Sequence, residues 1–256
     1  LSNASRSGQA LPLPNGRILV GGLNSPRVLV IAPGRDPVPF VDSDEATSAP
    51  MAQVGDREVV LVAGAAPNRT LVVASIDDGR ILRRLKGINA NAVKALAASP
   101  DGQTIYVGSA GAVWAIPAAD GTPRRIRAGD GVALDPRGQY LIISLNEKTG
   151  ARLVRVPVGG GGESPVRVAG DTRMVLESFA PNAVGPDGRI AVMLAPQDSW
   201  FWSAGVLDPS TGLVERLSTG SDVDMSYPGW TRDGDIVTWT MGFSSSIWRL
   251  RPVSSR

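Results

Sequence analysis

The stretch that decides the fold is residues 99–127, SPDGQTIYVGSAGAVWAIPAADGTPRRIR. Two short runs within it, Ile105-Tyr106-Val107 and Val113-Trp114-Ala115-Ile116, are rich in β-branched and aromatic residues and are bounded by Gly, Pro and Asp. Runs of this length that end at turn residues favour strands over helices. The stretch therefore predicts a turn, a strand, a short turn, a second strand, another turn and a charged strand over residues 123–127.

The same pattern recurs along the chain. The second residue of the first turn in each unit falls at positions 16, 56, 102, 138, 188 and 234, so successive units begin 40, 46, 36, 50 and 46 residues apart. A period of about 45 residues with up to four strands per unit is typical of propeller blades. We predict an all-β fold, a six-bladed β-propeller with mostly four-stranded antiparallel blades. The predicted blades cover residues 9–41, 49–86, 92–127, 130–168, 181–218 and 225–253.

The two ends of the chain bear on how the ring closes. Residues 1–8 contain Ser2-Asn3-Ala4, which we interpret as the scar of a cleaved expression tag, so the propeller domain is predicted at residues 9–253. The sixth predicted unit extends to Pro252-Val253 and contains no candidate for a fourth strand. Residues 1–8 are therefore expected to supply an outer strand beside residues 246–250, unless a cut has removed that strand and left a three-stranded blade.

Composition excludes several functions. The 256 residues include 26 basic and 24 acidic side chains, a formal charge of +2, with no Cys and no His. A His-dependent triad, imidazole or thiolate metal sites and disulfides are thereby excluded. The sequence pI of about 9.3 follows from the missing Cys and His and does not indicate a nucleic-acid partner. No stretch approaches the length of apolar sequence that a membrane helix needs, and we expect a soluble domain without a cofactor.

The repeat resembles that of TolB-like propellers, a WD40-type repeat. The resemblance rests on Ser99-Pro100-Asp101-Gly102 with Trp114 and Asp120-Gly121, and on Trp230-Thr231-Arg232-Asp233-Gly234 with Ile247-Trp248. In bacteria such propellers often form the extracytoplasmic sensor region of receptor Ser/Thr kinases, or stand alone in the periplasm. The resemblance thus implies an extracytoplasmic, periplasmic or cell-surface location by analogy. No kinase motif occurs in this chain, so a kinase domain would lie in sequence that it does not include.

In a propeller the connections alternate between two faces. We call loop face the one that carries the second-to-third and fourth-to-first strand connections, and turn face the opposite one. Carboxylates are frequent in the predicted connections of the loop face: Asp42, Asp44, Glu45, Asp130, Asp171, Asp222 and Asp224. Arginines are frequent in the fourth strands at the perimeter, so we predict that charge segregates between the loop face and the rim. This pattern favours a mouth that binds a cationic group, and the alternative is that each aspartate caps a turn.

The predicted ligand site lies near blades five and six. Its residues are Asp198, Trp200, Asp222, Asp224 and Phe243. An aromatic surface beside carboxylates can hold a cationic or sugar-like group by stacking, cation–π contact and charge-assisted hydrogen bonds. Trp200 is the aromatic residue expected to be exposed, whereas Trp202 and Phe201 are expected to pack between blades. The paired acids Asp222 and Asp224 alone supply too few oxygens for a Ca²⁺ site.

Two functions remain open. The first is a non-catalytic sensor or interaction propeller, excised from a larger bacterial protein, that binds an unknown small ligand, peptide or protein at the acidic loop face. The second is a propeller hydrolase of the sugar-lactonase type, which would use a divalent cation and carboxylates in the central channel. The predicted inner strands are mostly Ala, Val, Pro and Leu, as at residues 95–98 and 132–134, which favours binding over catalysis.

Overall fold

The computed structural model describes residues 8–14, 16–22, 26–119, 121–148, 150–175, 179–218, 220 and 223–242. These residues form antiparallel sheets that follow one another along the chain, and each sheet packs face to face on the next. The fold is an all-β propeller, as the repeat predicts. Among the described residues no helix has the length and apolarity that crossing a membrane requires.

Four blades have four strands each, paired in chain order from the axis outward. Blade one contains β1 (Gly8–Pro12), β2 (Ile18–Gly22), β3 (Leu29–Ile31) and β4 (Val38–Pro39). Blade two contains β5 (Thr47–Val54), β6 (Glu58–Ala63), β7 (Thr70–Ser75) and β8 (Ile81–Leu85), followed by a 3-10 turn at Ala90–Ala92. Blade three contains β9 (Val93–Ala98), β10 (Thr104–Ser109), β11 (Ala112–Pro117) and β12 (Arg124–Ala128). Blade four contains β13 (Gly131–Leu134), β14 (Tyr140–Glu147), β15 (Gly150–Pro157) and β16 (Ser164–Val166).

The last part of the chain is less regular. Blade five contains β17 (Ile190–Leu194), β18 (Ser203–Leu207) and β19 (Val214–Arg216). Residues 183–185, which occupy the place of an inner strand, make only one bridge, between Val184 and Ile190. A second bridge, between Met174 and Leu194, pairs an earlier segment with the other end of β17.

The prediction of six blades is wrong: the structure shows five. The sixth predicted unit is a two-stranded sheet of β20 (Asp224–Trp230) and β21 (Ile236–Met241) in the part of the chain described. This sheet lies between blades five and one, since β20 contacts β17 and β21 contacts β1. The strand predicted at 246–250, and the ring-closing strand predicted in residues 1–8, lie outside the described residues except for Gly8, which begins β1.

The hydrophobic core lies between neighbouring sheets. One buried cluster joins blades one and two, a second joins blades two and three, and others join three to four, four to five, and five to the two-stranded sheet. Because both faces of a middle strand are covered, it is apolar nearly throughout, as in β6, where Val59, Val60 and Leu61 are fully buried. The outermost strands β8, β12 and β19 are half-buried or exposed apart from Leu85, which fits an edge kept soluble by arginine.

The turn in the stretch that decides the fold depends on one glycine. Gly102 has a φ of +70°, and its N–H donates to the Ser99 carbonyl at 2.8 Å. Only glycine adopts this left-handed conformation without strain. Asp101 reinforces the turn by accepting a hydrogen bond from the Gln103 N–H at 2.9 Å, so β9 and β10 are held as a tight hairpin.

Candidate functional site

The connection between β17 and β18 presents the predicted aromatic residue to solvent. The Trp200 side chain is 100% exposed, which confirms the expectation for this residue. Asp198 anchors the loop around Trp200, because the Arg216 guanidinium contacts both Asp198 carboxylate oxygens, at 2.9 and 3.2 Å. The Ser199 hydroxyl also accepts a hydrogen bond from the Phe201 N–H at 3.0 Å. Trp200 is thus an exposed indole on a supported loop.

The same loop is bound to the start of β20. An Asp224 carboxylate oxygen accepts a hydrogen bond from the Trp202 N–H at 2.7 Å, and the Trp202 carbonyl accepts one from the Met225 N–H at 3.1 Å. These bonds bring the Trp200 loop and Asp224 into one neighbourhood, as predicted. Asp224 also takes the alternative role considered for it, because its carboxylate caps backbone. Asp222 and Phe243 lie outside the described residues.

Other acidic residues of the loop face have partners. Asp44 pairs with Arg27 at 3.4 Å and Glu45 pairs with Arg84 at 2.6 Å. The hydrogen bond to Glu45 raises the pKa of Arg84 above its ordinary value. An Asp130 oxygen accepts from the Asn146 N–H at 2.8 Å. Asp44 and Glu45 are therefore paired with arginines, and Asp130 caps backbone.

A cleft opens beside the Trp200 loop, between blades four and five. We call it the Trp202 cleft; it encloses about 830 Å³ and is lined by Trp202, Val168, Met174, Val175, Lys148 and Arg173, among others. Trp202 and the three aliphatic side chains are half-buried, whereas Lys148 and Arg173 are exposed. Lys148 and Arg173 are not among the residues predicted from the sequence, because single cations in two separate connections form no local pattern.

The turn face has a second concavity, of about 480 Å³, at the end of the axis. Its lining includes Arg17, Gln53, Asn182, Trp230 and Arg232. The Asn182 amide nitrogen donates to the Trp230 carbonyl at 2.5 Å, while the Asn182 Oδ1 and the Trp230 Nε1 are buried without a hydrogen-bond partner. These two atoms lie beneath the surface of the concavity, so they do not define a ligand site.

Metal chemistry has little support in the described part of the chain. There, no three Asp or Glu side chains come together in a group that could hold a metal ion. The strands nearest the axis carry Ala95, Leu96 and Ala97 in blade three and Val132 and Ala133 in blade four, all of them buried. These side chains offer no ligand for a divalent cation.

The blades and the open loop face define a β-propeller of the kind found in TolB. TolB from Acinetobacter baumannii is 16% identical, with a TM-score of 0.59 over 89% of this chain and 56% of that one. A putative TolB from Agrobacterium tumefaciens is 16% identical, with a TM-score of 0.61 over 80% of this chain and 74% of that one. The resemblance to TolB-like propellers is confirmed at the level of the fold.

Propellers of enzymes are similar as well. A puromycin-hydrolyzing peptidase from Mycobacterium tuberculosis is 18% identical, with a TM-score of 0.60 over 93% of this chain and 41% of that one. The chain therefore spans just over half of the Acinetobacter TolB and less than half of the peptidase. No protein-family model matches the sequence, and a comparison with curated proteins finds no match either. The similarities establish the fold but do not distinguish a binding protein from an enzyme. That distinction has to come from the residues of the site.

Proposed function

We propose that this chain is a non-catalytic binding propeller whose ligand or protein partner contacts the loop face around Trp200. The observation that carries the proposal is the fully exposed Trp200 indole on a loop fixed through Asp198 and Trp202. A free indole in water exposes a large apolar area that burial in an interface would stabilise. Tryptophan is also enriched among the residues that dominate binding energy.

The ion pair of Asp198 and the hydrogen bond of Trp202 hold the Trp200 loop in place, which favours binding through the exposed indole. A loop already ordered before binding loses less conformational entropy when the partner arrives. Asp198 lies two residues from Trp200 and keeps a mostly exposed side chain despite its ion pair. The site residues of the proposal remain Asp198, Trp200, Asp222, Asp224 and Phe243.

The proposal extends to the protein that contains this domain. The repeat resembles those of extracytoplasmic sensor propellers, and the similar TolB and peptidase chains carry further sequence beside the part matched here. We propose that the chain is the sensor or interaction domain of a larger bacterial protein, such as a receptor Ser/Thr kinase. Its location would then be the periplasm or the cell surface.

The hydrolase alternative is not favoured. A sugar-lactonase would need carboxylates on the axial strands, and those of blades three and four present buried Ala, Val and Leu instead. A metal titration tests this choice directly, because an ion that binds only the folded state raises its melting temperature. Strong, specific stabilisation by Ca²⁺ or Zn²⁺ would revive the hydrolase and oppose the binding proposal.

The binding proposal is tested by comparing three immobilised proteins as baits: wild type, Trp200→Ala and Leu213→Ala. Leu213 is the matched control, because it is an exposed apolar residue, 65% accessible, in a connection of the turn face. Each bait is incubated with bacterial envelope proteins, and the captured proteins are quantified by mass spectrometry. We expect partners whose recovery falls about tenfold or more with Trp200→Ala, the loss typical of an anchor residue, and is unchanged with Leu213→Ala. Equal recovery by all three baits would contradict the proposal.

A further inference from the structure

The Trp202 cleft combines an apolar floor with a cationic rim. We infer that it binds an organic anion, a carboxylate carried on an apolar ring or chain. The inference rests on the proposed function of the loop face and specifies the chemical class of one of its ligands. It also reverses the charge expected from the sequence, which favoured a cationic group at this face.

The floor of the cleft suits an apolar body. Val168, Met174 and Val175 are half-buried aliphatic side chains, and the Trp202 indole is half-buried beside them. The volume of about 830 Å³ lies within the range of small-molecule sites, which are mainly apolar with few polar groups. A flat ring or a short chain would therefore remove apolar surface from water on both partners.

The rim supplies two positive charges from different connections. Lys148 follows β14, and Arg173 lies in the connection between blades four and five. Neither side chain makes an ion pair or hydrogen bond to another described residue. A guanidinium and an ammonium that face one cleft can both donate charge-assisted hydrogen bonds to a single carboxylate.

The backbone at Arg173 is held in position. The Arg173 carbonyl accepts a hydrogen bond from the Ala195 N–H at 2.9 Å, and the Val175 N–H donates to the Met193 carbonyl at 3.0 Å. These bonds fasten residues 173–175 to the loop-face end of β17. The position of the Arg173 backbone is therefore set before a ligand binds, which lowers the entropic cost of binding.

Two of the nearby carboxylates are paired with arginines, and none of the carboxylates named here lines the cleft. Glu147 pairs with Arg152 at 2.7 Å, Asp198 pairs with Arg216, and Asp224 accepts the Trp202 N–H. Asp171 is exposed and lies two residues before Arg173, but it does not line the cleft. The charges that line the cleft, among the described residues, are thus both positive.

The test uses three probes of the same shape and different charge: 2-naphthoate, 2-naphthamide and 2-naphthylmethylammonium. Binding is measured by calorimetry at low salt, where charge contributes most. We expect naphthoate to bind about tenfold more tightly than the amide, from charge-assisted hydrogen bonds, and the ammonium to bind most weakly. Tighter binding of the ammonium, or equal binding of all three, would overturn the inference.

Variants locate the binding in the cleft. The double variant Lys148→Met/Arg173→Met should lose about tenfold in naphthoate affinity and keep its affinity for the amide. The control is Arg137→Met, which removes an exposed cation of the turn face whose side chain makes no ion pair or hydrogen bond within the described part of the chain, and it should change nothing. Unchanged naphthoate affinity in the double variant would refute the inference.

The two proposals can fail separately. Trp200 does not line the cleft, so Trp200→Ala should lose captured partners and retain naphthoate binding. If partner capture depends on Trp200 while naphthoate is not selected, the proposed function stands and the anion site is wrong. If naphthoate binds more tightly than the amide and the ammonium, but Trp200→Ala captures the same proteins as wild type, the anion site is supported and the proposed partner surface is wrong.

Discussion

At the scale of single residues, one aspartate is buried in its turn, whereas Asp101 and Asp187 in the corresponding turns of blades three and five are exposed. Asp135 begins the turn between β13 and β14 and is only 4% exposed. One of its oxygens accepts the Gln139 and Tyr140 N–H groups, at 2.5 and 2.8 Å, and the other accepts the Arg137 N–H at 3.1 Å. Three backbone donors therefore depend on a single buried carboxylate.

We predict that Asp135→Ala destabilises the protein by about 2–4 kcal/mol, because three backbone donors lose their acceptor and a buried side chain is truncated. Urea unfolding followed by circular dichroism measures the change. The matched control is Asp101→Ala at the same turn of blade three, where the carboxylate is exposed and water can replace it. A loss no larger for Asp135→Ala than for Asp101→Ala would show that burial adds nothing to this cap.

At the scale of elements, the contact between blade five and the two-stranded sheet is unusually close. The Trp230 ring of β20 lies on Gly185, where an added Cβ would come within 2.8 Å of the indole. The Arg189 guanidinium lies over the same indole, 5.2 Å from the ring centroid. Because blade five has no full inner strand, this indole supplies much of the packing that an inner strand provides elsewhere.

We predict that Gly185→Ala destabilises the protein by about 1–3 kcal/mol, since an extra methyl group overpacks the junction. Gly159→Ala is the control, because no atom lies within 4 Å of a Cβ built at that position. Thermal unfolding followed by tryptophan fluorescence compares the two variants. Similar melting temperatures for the two variants would mean that the junction accommodates the methyl group without losing stability, which would contradict the prediction.

The sequence predicts a strand best where a local turn defines the end of that strand. The runs predicted as strands at residues 105–107 and 113–116 lie within β10 and β11, and a turn with Gly102 at positive φ defines the start of β10 locally. Blade five is different: residues 183–185 make only the bridge between Val184 and Ile190, although the turn that follows them has the same proline position as the turns after β9 and β13. The site was only partly predictable, because the Trp202 cleft joins connections of two blades that no local pattern relates.

At the scale of the whole molecule, ion pairs join some of the loop-face carboxylates to arginines of the outer strands. The sequence indicated separate acidic and basic regions, and the structure pairs loop-face carboxylates such as Glu45 and Asp198 with arginines of the outer strands. These pairs are exposed to water, so each contributes only about 0–1 kcal/mol. Each pair places a positive charge beside a negative one, whereas the charged residues that line the Trp202 cleft among the described residues, Lys148 and Arg173, are both positive.

The ionisable groups also determine how stability depends on pH. Without His or Cys, only the amino terminus titrates between about pH 5 and pH 9, so we predict nearly constant stability in that range. In acid, Asp101 and Asp208 control part of the loss. Hydrogen bonds from the hydroxyls of Ser99 and Ser210 lower the pKa of these carboxyls from the ordinary 3.8. In base, burial raises the pKa of Tyr106 above 10.0.

The two shifts act in opposite directions. A carboxyl whose folded pKa is lowered stabilises the fold above pH 3.8, and that contribution disappears as the pH falls through the folded pKa. A phenol whose folded pKa is raised stabilises the fold below pH 10.0, and that contribution is lost as the pH rises through the folded pKa. Asp101→Asn/Asp208→Asn should therefore be less stable than wild type at pH 6, with a difference that shrinks in acid. Tyr106→Phe should retain stability above pH 10 that wild type loses. Urea midpoints from pH 2.5 to 11 measure both effects, and parallel curves for the three proteins would show that other groups control both limits.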